Sequence, residues 1–221
     1  MTNLKVAVKV GRTVCVHAGL TADHINEFGG LAGMNRDAKN WISQVVGTED
    51  IEPQTAQGIA EASNEVVNGD IEEAEQVDET MTSEEAVAAR QAYTLATVPP
   101  VLGGGVGEES PIWMRDYSSP SNLPPKNSVR AQKMIDECLD LLDCDRMVMG
   151  HTVQREINCA LNGKAWRVDI GASSGVIDGS PEVLEVRCVD GNEVVTVLSK
   201  KYGKIPEEER QIFELNAATF F

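Results

Sequence analysis

Three short segments carry side chains that could do chemistry. Val14-Cys15-Val16-His17-Ala18-Gly19-Leu20 and Met147-Val148-Met149-Gly150-His151-Thr152 each run an apolar stretch of buried-strand character into a histidine near a glycine. A glycine there lets backbone and ligand approach closely, so both histidines have the placement of metal ligands. Between them, Ser110-Pro111-Ile112-Trp113-Met114-Arg115-Asp116-Tyr117-Ser118 is a stiff aromatic segment that presents an arginine. A guanidinium can hold two phosphate oxygens at once and stays charged at any working pH. The combination points to a metal and phosphate site. Plainer readings stand beside it. An isolated histidine near a strand end is commonly a hydrogen-bonded core residue, and Arg115 could pair with Asp116 or another nearby acid. His24, in Thr21-Ala22-Asp23-His24, reads as an ordinary helical histidine and is left outside the site.

In their order and spacing these segments resemble the calcineurin-like metallophosphoesterases, and among the phosphoprotein phosphatases they are most similar to the Shewanella-like protein phosphatases. The likeness runs through nearly the whole chain. It takes in Met34-Asn35, Arg167-Val168-Asp169-Ile170-Gly171-Ala172-Ser173 and Pro181-Glu182-Val183-Leu184-Glu185. The resemblance implies that His17 and His151 are two imidazole ligands of one metal in a dinuclear divalent centre of Mn, Fe or Zn. Two such ions, about 3.5 to 4 Å apart, generate hydroxide at neutral pH and hold phosphate oxygens for in-line attack. It also makes Arg115 the phosphate clamp. Asp169 would either support the ligands through hydrogen bonds or be a turn acid. Asn35 and Ser173 match recurrent positions as well, and Asn35 is expected to cap the helix that contains Trp41. Trp113 and Tyr117 are expected to pack and fix the arginine.

Enzymes of this family build most of the metal site from Gly-Asp-x-His-Gly, Gly-Asp-x-x-Asp-Arg-Gly and Gly-Asn-His-Glu motifs, and none of these occurs here. A Gly-Asp pair is found only at Gly69-Asp70, followed by Ile71-Glu72-Glu73. The expectation is therefore the back half of a phosphatase, with an incomplete dinuclear centre and no general acid of its own. Its fold would be α/β, a partial α/β/β/α sandwich of two sheets flanked by helices. Residues 1–221 would form one partial domain, with a helical acidic insertion over 35–100 capping the site. Its reaction would be metal-dependent hydrolysis of a phosphomonoester, on a phosphorylated protein or a small phosphoester. The competing expectation is a complete, catalytically inactive binding module that uses the acidic cap to hold a partner. The apolar strands Val14–Val16 and Met147–Met149 favour the incomplete chain, as if still awaiting a covering layer.

Composition sets outer bounds. The chain of 221 residues is 42% hydrophobic and 24% charged, as folded globular proteins are, and no apolar run approaches a membrane span. A formal charge of −16 disfavours nucleic acid and anionic membranes as partners. No Lys or Arg occurs from Asn40 to Ala89, where thirteen acids from Glu49 to Glu85 accumulate; a solvated helical insertion is the plain reading and a docking surface for a basic partner the other. Five cysteines without CxxC spacing indicate neither a disulfide framework nor a zinc ribbon. A soluble intracellular protein is expected, with compartment and oligomeric state left open.

The elements that would position the site follow from periodicity. Alternation at Leu4, Val6, Val8 and Val10, then Gly11-Arg12, gives a hairpin into Thr13-Val14-Cys15-Val16. Trp41, Ile42, Val45 and Val46 mark a helix ended by Gly47, and Ser83 can cap another over 84–96. Pro99 to Gly107 is too rich in Pro and Gly for regular structure. Ser128 opens a helix with Met134, Ile135, Cys138, Leu141 and Leu142 facing inward. Strands are expected over 157–161 and 165–170 around Asn162-Gly163, and over 183–189 and 194–198 around Asp190-Gly191-Asn192.

Overall fold

The computed structural model describes residues 5–47 and 96–212, together with 88, 92 and 94. The acidic stretch, the Ser83 cap, most of the 35–100 insertion and the closing Phe220-Phe221 lie outside the described residues.

The chain opens as expected on a hairpin, β1 (Ala7–Val10) and β2 (Thr13–Val16), with Ala7 opposite Val16 and the turn carried by Gly11 at φ +57°. A short helix α1 (Ala22–Glu27) and a long one, α2 (Gly30–Gly47), follow. Two 3₁₀ turns, Pro100–Leu102 and Gly107–Glu109, occupy the Pro- and Gly-rich segment expected to be irregular. Helix α3 (Ser128–Leu142), capped by Asn127, leads into β3 (Arg146–Met149), β4 (Asn158–Ala160) and β5 (Ala165–Arg167). The chain then forms β6 (Glu182–Val189), β7 (Asn192–Ser199) and β8 (Gly203–Pro206).

The first five strands make one mixed sheet in the order β1-β2-β3-β5-β4, in which β2, β3 and β5 are parallel neighbours. The last three make an antiparallel sheet. Alternation along each strand sorts side chains to two faces. Val14, Val16, Met147, Met149 and Ala165 join a core with Met34, Ile135 and Leu139 of the helices. Trp166 and Cys159, from the opposite face, join Val195, Val197 and Ile205 of the second sheet. Helices, mixed sheet and antiparallel sheet thus stack as three layers of an α/β fold. Among the described residues no helix covers the outer face of the second sheet, where Val183 is 60% exposed.

Three expectations are corrected. Asn35 caps no helix: it lies inside α2, and its amide accepts from the backbone nitrogens of Val6 (2.8 Å) and Ala7 (3.2 Å) while donating to the Ala7 carbonyl (2.8 Å). It satisfies the backbone at the free edge of β1 as a neighbouring strand would. Leu141 is 55% exposed and Leu139 is buried in its place, because a 3.6-residue period carries the stripe through Ile135, Cys138 and Leu139. Finally, one face of the apolar strands is already covered: Val14 and Met147 are fully buried and Val16 and Met149 nearly so, beneath helices of this same chain, while Cys15 and Val148 on the other face are half-buried.

Candidate functional site

Strands β2, β3 and β5 run side by side in one direction, so whatever follows their carboxyl ends converges on one edge of the sheet. His17 follows Val16, Gly150-His151 follows Met149, and Val168-Asp169 follows Arg167. This is where parallel sheets present ligand-binding residues. The turns are joined by the Gly150 nitrogen donating to the His17 carbonyl (2.8 Å) and the Val168 nitrogen donating to the Met149 carbonyl (2.8 Å).

The two imidazoles meet, with ring centroids 5.1 Å apart at 60°. His151 holds φ +66°, and the Thr152 nitrogen donates to the Gly150 carbonyl at 2.7 Å, closing a three-residue turn around it. Such a left-handed residue other than glycine is uncommon and costs of order 1 kcal/mol or more, which surrounding structure must sustain. Its ring lies against the Trp113 indole, edge-on, at 5.5 Å. The His151 Nε2 is buried and has no hydrogen-bond partner among the described residues. Burial, then the neighbouring Arg115 and His17, holds its imidazole below the usual histidine range, with the Trp113 backbone and Asp169 opposing. A neutral ring with a free nitrogen lone pair is the ligand form of histidine.

Arg115 reaches this centre electrostatically rather than through a dedicated pair. Its Nη1 lies 3.4 Å from the Trp113 carbonyl and 3.9 Å from Glu108, and the side chain is about half exposed. An ion pair so long and wet is worth little, so the guanidinium remains available to an anion. The expected competitor, Asp116, makes no ion pair with it among the described residues. Asp169 accepts from the Gly171 nitrogen (3.1 Å), and its own carbonyl accepts from the Gln154 nitrogen (2.7 Å), so it shapes the turn that backs the site.

Tyr117 packs as expected: it is buried, and its hydroxyl donates to the Leu20 carbonyl at 2.7 Å. Trp113 packs on one side only: it is 47% exposed at the rim, with its indole against His151 and close over Gly103. The glycine argument also divides. A Cβ on Gly19 would come within 2.9 Å of Met114 and 3.0 Å of Tyr117, so that glycine admits the arginine segment; a Cβ on Gly150 would meet nothing closer than 3.6 Å. Beside His17 runs an apolar groove of about 400 Å³ walled by Val8, Cys15, Val16, Leu102 and Ile112.

A dinuclear centre needs more ligands than these. The orphaned Nε2 and adjoining imidazole fit two positions around a divalent ion, but among the described residues no cluster of three or more His, Cys, Asp or Glu could hold one. In kind the two imidazoles suit such an ion, and alone they would make up only part of its shell.

No protein-family model matches the chain. Over 196 residues, 88% of its length, it is 31% identical to Shewanella-like protein phosphatase 2 of Arabidopsis thaliana, spanning 35% of that protein. Its fold matches a cold-active protein tyrosine phosphatase with a TM-score of 0.52 over 95% of this chain and 44% of that one, at 14% identity. A second structure, the cold-active protein-tyrosine phosphatase of a psychrophilic Shewanella species, matches at 0.50 over 93% and 43%, also at 14% identity. With the histidine turns in place at the strand ends, the chain belongs to the Shewanella-like protein phosphatase family.

Proposed function

We propose that this chain carries part of the active site of a metal-dependent phosphoester hydrolase of the protein-phosphatase type. His17 and His151 would hold one divalent ion, the remaining ligands coming from outside the described residues, and Arg115 would bind the phosphate. The observation that supports this most directly is the buried Nε2 of His151, without a hydrogen-bond partner among the described residues, beside a second imidazole. A pair of Mn, Fe or Zn ions, when bound, supplies hydroxide at neutral pH and neutralises phosphate charge. The chain's own residues do the positioning. His151 is kept neutral by burial, and the left-handed turn sets its ring against Trp113. Arg115 offers two parallel donors to a phosphate at the rim. The protein-phosphatase names of the relative and of the solved structures favour a phosphorylated protein as substrate.

The test is metal content and phosphopeptide turnover of the intact natural protein with His17→Ala and His151→Ala. Each variant is expected to lose metal and at least tenfold in turnover, as losing a direct ligand requires. Normal metal content and turnover in both would overturn the assignment. A folded wild-type protein that neither binds metal nor turns over substrate would instead favour the inactive binding module, with the acidic stretch over 40–89 as its contact surface.

A further inference from the structure

The arginine segment is strapped at both ends, and one buried amide closes the second strap. At the leading end, the Pro111 carbonyl accepts from the nitrogens of Ala18 (3.0 Å) and Gly19 (3.2 Å), just after His17. Tyr117 reinforces this through Leu20. At the trailing end, Gln154 Nε2 donates to the carbonyls of Ser119 and of Thr152, both at 2.9 Å. Ser119 directly follows the arginine segment and Thr152 follows His151. Gln154 Oε1 accepts from the Asn122 nitrogen at 3.0 Å, and its backbone nitrogen donates to the Asp169 carbonyl at 2.7 Å. The side chain is fully buried, with both donors and its acceptor in use. We infer that Gln154 is a positioning residue, fixing the Arg115 segment against the His151 turn; the inference rests on the functional reading above.

Two more buried side chains back the amide. Asn158 Nδ2 donates to Asn122 Oδ1 (3.0 Å), and Arg167 donates to Asn158 Oδ1 (2.6 Å) and to the Leu123 carbonyl (2.7 Å). Arg167 is fully buried and pairs with no carboxylate among the described residues; burial lowers its guanidinium to about 10. An acid-free buried cation is a costly way to fill space. What it adds is reach, from β5 across to the strap. Ser121 (φ +59°) and Asn122 (φ +63°) take consecutive left-handed conformations that residues other than glycine adopt at a cost, and these hydrogen bonds hold them there. Were Gln154 mere core filling, an apolar side chain of its volume would serve as well. A positioning amide makes phosphate binding depend on it through Arg115.

The experiment measures inorganic phosphate affinity of the intact natural protein loaded with Mn²⁺, for Gln154→Met, Asn122→Gly, Arg115→Ala and the Gln154→Met/Arg115→Ala double variant. Gln154→Met keeps volume and removes the amide. Asn122→Gly keeps the left-handed backbone and the nitrogen that Gln154 holds, and removes the side-chain oxygen to which Asn158 and the Arg155 nitrogen donate. Gln154→Met is expected to weaken phosphate roughly tenfold, as displacement of a binding group does, at unchanged metal content. The double variant should bind no more weakly than Arg115→Ala alone. Amide exchange over 115–122 should quicken in both strap variants while β3 stays protected. Unchanged phosphate affinity in the strap variants with Arg115→Ala impaired, or simple additivity in the double variant, overturns the inference. If Arg115→Ala itself leaves phosphate affinity unchanged, the phosphate reading fails and exchange decides the strap: quickening over 115–122 upholds it and no change overturns it.

Discussion

His151 does two things that different substitutions can separate. Its ring offers a nitrogen to the site, and its backbone occupies a left-handed turn at φ +66°. Asparagine tolerates that conformation and β-branched residues do not. His151→Asn should therefore lose metal binding while the urea midpoint stays close to wild type. His151→Val should lose metal and also about 1–2 kcal/mol of stability. Equal midpoints for the two variants would show that the turn is not strained. Tyr117 gives a second case. Its hydroxyl serves the Leu20 carbonyl, and Leu20 is fully buried, so Tyr117→Phe leaves an acceptor dry. The expected loss is about 1–2 kcal/mol in urea denaturation, and a loss near zero would mean that water reaches the carbonyl.

Helices here act through their polar side chains as much as their apolar stripes. Asn35 of α2 supplies three hydrogen bonds to the backbone of Val6 and Ala7, both buried at the start of β1. Asn35→Ala should cost about 2 kcal/mol, measured by chemical denaturation, because buried donors lose their partner. Helix α1 depends on a neutral histidine. Thr21 and His24 form its capping box, with His24 Nδ1 accepting from the Thr21 nitrogen and Nε2 donating to the Glu109 carbonyl at 2.5 Å. Burial holds His24 below the usual histidine range. A depressed imidazole contributes stability that is complete above the unfolded value of about 6.5 and is lost as pH falls through the folded one. Acidification should thus loosen α1, seen as lower protection of the His24 amide relative to its intrinsic exchange rate at each pH, and His24→Gln should remove that dependence.

The two sheets are joined by charge at one end and by Arg210 at the other. Arg146 of β3 pairs with Glu193 of β7, and Arg210 reaches Glu182 of β6 and Glu156, both at 2.7 Å. Arg12 meanwhile ties the first hairpin to Asp145 and Asp143 after α3. Hydrogen bonding to Arg146 depresses the Glu193 carboxyl, and hydrogen bonding to Arg12 depresses Asp143 and Asp145. Depressed carboxylates contribute stability above the unfolded values of about 4 and lose it as pH falls through the folded ones. The urea midpoint should fall on acidification through that range, less steeply in Glu193→Gln and less in high salt, since the Arg12 pairs are exposed and screened. An identical acid dependence in Glu193→Gln would place the coupling of the sheets in the apolar core around Trp166 and Val197 instead.

How much was legible in the chain follows from range. The hairpin, α3 and the strands around Asn162-Gly163 and Asp190-Gly191 could be read because period and turn residues are local, and the histidine segments because each motif is contiguous. Asn35 was misread because side-chain amides cap helices and satisfy sheet edges alike, and only the approach of β1 chooses. The covering of Val14 and Met147, the exposed edge of Trp113 on His151 and the role of Gln154 had no local signal. The first depends on helices from well-separated stretches of the chain packing on one sheet face, and the other two on segments more than thirty residues apart in sequence meeting at the carboxyl ends of three parallel strands, arrangements fixed by sheet order rather than by any stretch of sequence.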